Sequence, residues 1–164
     1  MCDRSKNLKK KKYRVPVFAS LNRDIWSKLY DVREQTLIKQ IEQSDMNMET
    51  APVFISIFIE LMWAYDDIEN EKYYNAAFLI IEKLIELDND NVAATINRMQ
   101  LIYRKKELAE EEMRKLEAID DQDYLAKCAA NILLDNKRIA KKYLEKMSEE
   151  DKNKFKQNPI YNLL

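Results

Sequence analysis

The sequence predicts an all-helical protein of seven or eight short helices, each antiparallel to its neighbour, stacked as helix pairs or gathered into an irregular bundle. Three observations carry that prediction. None of the 164 residues is glycine, so the positive-φ positions that tight hairpins and phosphate-binding loops rely on are expensive to build. The prolines are confined to Pro16, Pro52 and Pro159, leaving long stretches without a helix breaker. In segment after segment, apolar residues recur at three- and four-residue steps, separated by polar connectors short enough to make neighbours antiparallel. A hydrophobic fraction of 46% against a charged fraction of 35% supplies both a core and a solvated surface, and the length suits one domain.

The elements follow in order. Residues 1–14 carry seven Lys/Arg against Asp3, a net +6, while the formal total is −1, so residues 15–164 sum to −7. Like charges with little to bury predict a disordered basic arm ahead of a single helical domain spanning 15–164. The apolar stretch around Pro16 is expected to be extended. A first helix is expected from Arg23 to Gln43 with Asn22 as N-cap, because Ile25, Trp26, Leu29, Tyr30, Val32, Leu37, Ile38 and Ile41 recur at the steps of one helical face.

A second helix starts at Thr50, with Pro52 in its first turn, where the missing N–H costs nothing. It is apolar nearly all round up to Trp63, which predicts a helix sandwiched between neighbours. Asp66 to Lys72 reads as a polar connector, followed by helices over about 73–87, 92–105, 108–119, 122–134 and 137–147. Ser148-Glu149-Glu150-Asp151 has the spacing of a capping box and predicts a short last helix before Pro159.

Several chemistries are excluded or disfavoured by residue type. With no histidine in the chain, neither a Ser-His-Asp nor a Cys-His pairing can be assembled, nor a His-ligated metal or haem site. Cys2 and Cys128 lack metal-binding or disulfide-framework spacing; they read as a tail thiol and a small core residue, at home in a reducing compartment. Asp66, Asp67, Glu69 and Glu71, and again Glu110, Glu111 and Glu112, could do acid–base work only if burial raised a pKa, and both groups read as solvated. Asp88-Asn89-Asp90-Asn91 begins like a calcium loop, but the sixth position is Ala93 instead of glycine and the twelfth is Met99 instead of glutamate. No stretch reaches the roughly 18–20 apolar residues of a membrane span, and no apolar leader core follows the basic start. The expectations are therefore no cofactor, no metal, no membrane and a cytoplasmic location.

A repeat organises the middle of the chain. Leu61-Met62-Trp63-Ala64-Tyr65 is followed by Ala77, then by Glu82-Lys83-Leu84-Ile85-Glu86-Leu87-Asp88-Asn89-Asp90-Asn91. Met99 and Tyr103 stand in the next helix pair where Leu61 and Tyr65 stand in the first, with Ala109 matching Ala77. Ala140 is the small residue of a third pair, followed by Tyr143, Leu144 and Met147. Over residues 51–147 this resembles the tetratricopeptide (TPR) repeat family. It departs from the family pattern in placing Met62 and Gln100 where glycine is usual and Asn89 where the closing proline is. The resemblance implies a short α-solenoid whose small residues let paired helices approach, and a groove lined by the first helix of each pair. Carried over position by position, it implies a partner-binding set of Trp63, Asn97, Leu101, Arg104, Lys127 and Asn131, with Ile59 and Asp66 beside them.

The expected function is a non-enzymatic adaptor or scaffold that docks another protein or peptide on this helical surface. The alternative is nucleic-acid association through the basic arm, Lys9, Lys10, Lys11, Lys12 and Arg14, by neutralising phosphates. The acidic body, in a chain whose overall pI is about 5.7, argues against broad nucleic-acid binding.

Overall fold

Eight α-helices and a terminal 3₁₀ helix, with no strand among them, make up the framework of residues 34–164, the part of the chain that the computed structural model describes. They are α1 (Glu34–Glu42), α2 (Ala51–Ile68), α3 (Glu71–Leu87), α4 (Val92–Lys105), α5 (Glu110–Glu117), α6 (Tyr124–Leu133), α7 (Lys137–Lys146) and α8 (Glu149–Phe155), followed by the 3₁₀ turn Pro159–Leu163. The all-helical class read from the glycine-free composition holds. The arm with Lys9–Lys12 and Arg14, the Asn22 cap and the first half of the first expected helix lie outside the described residues.

Caps set the helix boundaries. Asn70, Asn91, Asp123 and Ser148 each accept a hydrogen bond from a first-turn N–H, at Lys72, Ala94, Ala126 and Asp151 respectively, a bond worth about 1 kcal/mol per helix. At Ser148 the acidic residue three positions on takes part as well, since Ser148 Oγ also donates to Asp151 Oδ2 at 2.6 Å.

The connector expected over Asp66–Lys72 is much shorter than its polarity suggests. Asp66 and Asp67 continue α2, and Glu69 turns the chain in a left-handed conformation (φ 55°) with its N–H bonded to Tyr65 O at 2.8 Å. Asn70 then caps α3. Asp135 makes the same left-handed turn (φ 59°) between α6 and α7. In a chain without glycine these two carry a backbone cost of about 1–2 kcal/mol each.

α2 packs on α3 and α6 on α7, and these are the two closest helix pairs; α4 lies against both α3 and α6 and joins them. Phe58, Leu61 and Met62 on α2 are fully buried, as are Ile80 and Ile81 on α3, so the second half of α2 is sandwiched as its all-round apolar sequence predicts. Val53, nearer the start of α2, is exposed. From α4 onward one core joins Ile96 and Met99 to Leu116, Ala129, Ile132, Phe155 and Ile160. Each fully buried side chain of that size contributes roughly 1.5–3 kcal/mol.

Ala77 and Ala140 are completely buried, where a small side chain lets two helices close on each other. Ala109 departs from that pattern: it is exposed and stands at the N-cap of α5, its N–H bonded to Glu112 Oε2 at 2.7 Å. Gln100, where the repeat family has glycine, is fully buried on α4. α4 finds its close neighbours in α3 and α6, and α5 packs principally on α6.

Candidate functional site

The six side chains that the resemblance places on a groove are engaged within the fold itself. Leu101 is fully buried on α4, and Asn97 and Asn131 are buried too, at 8% and 5% exposure. Asn131 Nδ2 donates to Lys127 O at 2.8 Å, and its own carbonyl accepts the Asn136 N–H, closing the end of α6. Lys127 Nζ donates to Glu117 O at 2.9 Å and Ile119 O at 2.7 Å and pairs with Asp121 at 3.1 Å. It neutralises the negative end of α5. Trp63 is half-buried and its indole Nε1 donates to Gln157 O at 3.0 Å, tying α2 to the segment before the 3₁₀ turn.

Arg104 and Asp66 do come together. Nε and Nη2 of Arg104 each donate to one carboxylate oxygen of Asp66 at 2.8 Å, and Nη1 donates to Gln100 O at 3.2 Å. The Arg104 side chain is only 7% exposed. A two-pronged arginine–carboxylate pair in that setting fixes orientation as well as charge, so the carboxyl ends of α2 and α4 are locked to each other.

Beside this pair lies a patch in which Tyr65, read from sequence only as a repeat position, joins Tyr74, Phe78 and Lys105, which sequence reasoning did not single out. Tyr65 on α2 and Tyr74 on α3 meet with ring centroids 5.4 Å apart, and Tyr74 stacks on Phe78 at 6.3 Å. Lys105 Nζ sits 5.0 Å from the Tyr65 ring and 4.6 Å from the Tyr74 ring while bonding Glu71 Oε1 at 2.5 Å. Tyr74 Oη donates to Leu101 O at 3.2 Å. All three rings are half-buried. The Glu71 hydrogen bond, and then Tyr65, raise the Lys105 pKa, while burial raises that of Tyr74. At neutral pH the patch therefore presents a fixed cation over neutral rings. The usable sequence signal is the Tyr73-Tyr74 pair opening α3 and the Arg104-Lys105 pair closing α4, each adjacent to a residue already under consideration.

The groups weighed for catalysis have other roles. Cys128 is buried on α6, its thiol donating to Ala140 O at 3.2 Å, and burial pushes its pKa up to about 12, so it is no thiolate at neutral pH. Glu110 pairs with Arg114 at 3.1 Å and Glu111 with Lys115 at 2.9 Å, both across one turn of α5 in solvent. The Lys115 hydrogen bond lowers the Glu111 pKa, the opposite of what a general acid needs. Among the described residues no group of three or more His, Cys, Asp or Glu side chains is placed to hold a metal ion, and no helix is long and apolar enough to cross a membrane. A depression of about 320 Å³ beside Ser44, Met46, Lys83 and Leu87 is open and polar; its lysine is spent on Ile41 O and Glu42 O at the end of α1. No family model, curated protein or solved structure gives a significant match to this chain.

Proposed function

We propose that the protein is a non-enzymatic interaction module that holds a segment of a partner protein against the joined ends of α2, α3 and α4. The observation that supports this reading is the patch formed by Tyr65, Tyr74, Phe78 and Lys105 beside the Arg104–Asp66 pair. Tyrosines are among the side chains that dominate binding energy at interfaces. Here they are held in place by neighbours before any partner arrives, which lowers the entropy lost on binding. The resemblance of residues 51–147 to tetratricopeptide repeats points the same way, since that family presents its first helices to peptide ligands. In this reading the protein is a cytoplasmic adaptor, with Cys128 a reduced structural thiol.

The test is a selection of displayed random peptides on the immobilised full chain, followed by fluorescence titration of the enriched sequences. A shared motif is expected, bound at least tenfold more weakly by Lys105→Glu, which reverses the charge over the two rings. Enrichment without a common motif, or equal binding by the variant, would remove the α2–α4 ends from consideration.

A further inference from the structure

The exposed half of α7 is a second surface, independent of the one above. The sequence of α7 is Lys-Arg-Ile-Ala-Lys-Lys-Tyr-Leu-Glu-Lys over Lys137–Lys146. At 100° per residue, Ala140, Tyr143 and Leu144 fall together on the inner side, where Ala140 is fully buried. Lys137, Arg138, Lys141, Lys142, Glu145 and Lys146 sweep the opposite half of the helix, and all six are exposed. Five cations and one carboxylate share that arc.

These cations are treated differently from most others in the described residues. Arg98 pairs with Glu82, Arg104 with Asp66, Lys105 with Glu71, Arg114 with Glu110, Lys115 with Glu111, Lys152 with Glu149 and Lys154 with Glu150. On α7, Lys137 Nζ donates to the Leu164 main-chain oxygen at 3.2 Å and Lys146 lies over the rings of Tyr124 and Tyr143. Arg138, Lys141 and Lys142 have no carboxylate within ion-pair distance and no hydrogen-bond acceptor among the described residues. Three neighbouring cations thus share one face with Glu145 as the single carboxylate of the arc.

The charge is also segregated along the chain. Residues 34–136 hold ten Lys/Arg against twenty-two Asp/Glu, a net −12, whereas residues 137–164 hold eight against four, a net +4. Within residues 34–164, charge of that shape favours an anion on the C-terminal helices over the helices before them.

We propose that the exposed face of α7 binds the phosphate backbone of a nucleic-acid duplex without reading its sequence. Linear charge density decides between this partner and an acidic polypeptide. Ion pairs between solvated protein side chains gain little in water, and the arc offers an acidic polypeptide one apolar contact, Ile139 at 41% exposure. A duplex, by contrast, carries condensed counterions whose release drives binding to even a small cationic surface. The ten residues of α7 span about 15 Å, so its five cations are concentrated over a length along which one duplex strand carries about four phosphates. The two tyrosines at this end are covered by Lys146, so no open ring stands ready to stack on bases and contact is confined to phosphates. The −12 carried by residues 34–136 disfavours extension of that contact over the neighbouring helices.

The experiment uses the full chain, a fluorescein-labelled mixed-sequence 20-base-pair DNA duplex, and a variant carrying Arg138→Glu, Lys141→Glu and Lys142→Glu together. All three positions are exposed, and the first adds an acidic residue near the positive end of α7, so circular dichroism is expected to match the parent. The parent should bind with log affinity falling against log salt at a slope between about −3 and −4.5, as three to five phosphate contacts require. The variant should bind at least tenfold more weakly at 50 mM salt, and a duplex of scrambled sequence should bind as well as the first. Unchanged binding by the variant would assign the duplex to another part of the chain and overturn the proposal. So would equal affinity for poly-glutamate at the same salt, or binding to anionic phosphatidylserine vesicles but not to the duplex. Loss of duplex binding leaves the peptide titrations on Lys105→Glu untouched, so the two surfaces fail or stand separately.

Discussion

Gln100 is the place where the fold sacrifices stability. Its side chain is 0% exposed, and neither Nε2 nor Oε1 has a hydrogen-bond partner. Its main chain is occupied normally, the carbonyl accepting from Arg104 Nη1. A buried amide that has exchanged water for nothing costs about 1–3 kcal/mol. Methionine has nearly the same length and shape but no polar termini, so Gln100→Met should recover most of that cost, with a midpoint near 2 kcal/mol. For a chain of 164 residues, each kcal/mol moves the thermal midpoint by roughly 2–4 °C, so a rise of about 6 °C is expected. Alanine is the wrong probe. It removes the amide but leaves roughly 50 Å³ empty, and at about 24 cal/mol per Å³ the cavity returns a little over 1 kcal/mol of destabilisation. The assay is urea unfolding followed by circular dichroism at 222 nm, with the slope of the transition checked for constancy between variants. A methionine variant no more stable than the parent would show that the amide is satisfied by a buried water, and the argument for an unrelieved polar group would fall.

Three further outcomes are expected. Arg104→Lys keeps the charge but removes one prong of the Asp66 pair, and should cost about 1 kcal/mol; a double-mutant cycle with Asp66→Asn that shows no coupling would refute the pairing. Cys128 should resist iodoacetamide at pH 8.5 in the folded chain and react in urea, because burial holds its pKa near 12; peptide mass spectrometry separates it from Cys2, and native labelling at a free-thiol rate would contradict its burial. Stability should be level from about pH 5 to 9, since the chain has no histidine to titrate there. Below that range it should fall: Lys127, Lys115 and Lys152 hold Asp121, Glu111 and Glu149 below their ordinary pKa, and such contributions vanish as pH drops through the lowered value. Above it, Lys105 and Lys154 have raised pKa values from Glu71 and Glu150, and their contributions are lost as pH rises through them. Thermal midpoints measured from pH 3 to 11 check both edges, and a step between pH 6 and 7.5 would contradict the account.

The sequence by itself determined the helical class and most of the boundaries. Absent glycine, spaced apolar residues and capping side chains act over a few residues, so Asn91 before α4 and Ser148 before α8 could be read without knowing what lies across the core. The same local reading misjudged Asp66–Lys72, because polarity was taken as loop when Asp66 is held in helix by an arginine 38 positions away. It also took Ala109 for a packing residue, noted Gln100 only as a departure from the repeat pattern, and left Tyr74 unremarked. Their roles are set by which helices meet, and α4 meets α3 and α6 more closely than α5. Pairs one turn apart, such as Arg114 with Glu110, are local, but the pairs between helices came from the tertiary structure. Arg104 and Lys105 look alike in sequence to Arg138 and Lys141, yet the first two are anchored across helices and the last two face water. Charge patterns repeat every few residues, and where no partner stands one turn away, packing between helices decides whether a charge is neutralised, as for Arg104 and Lys105.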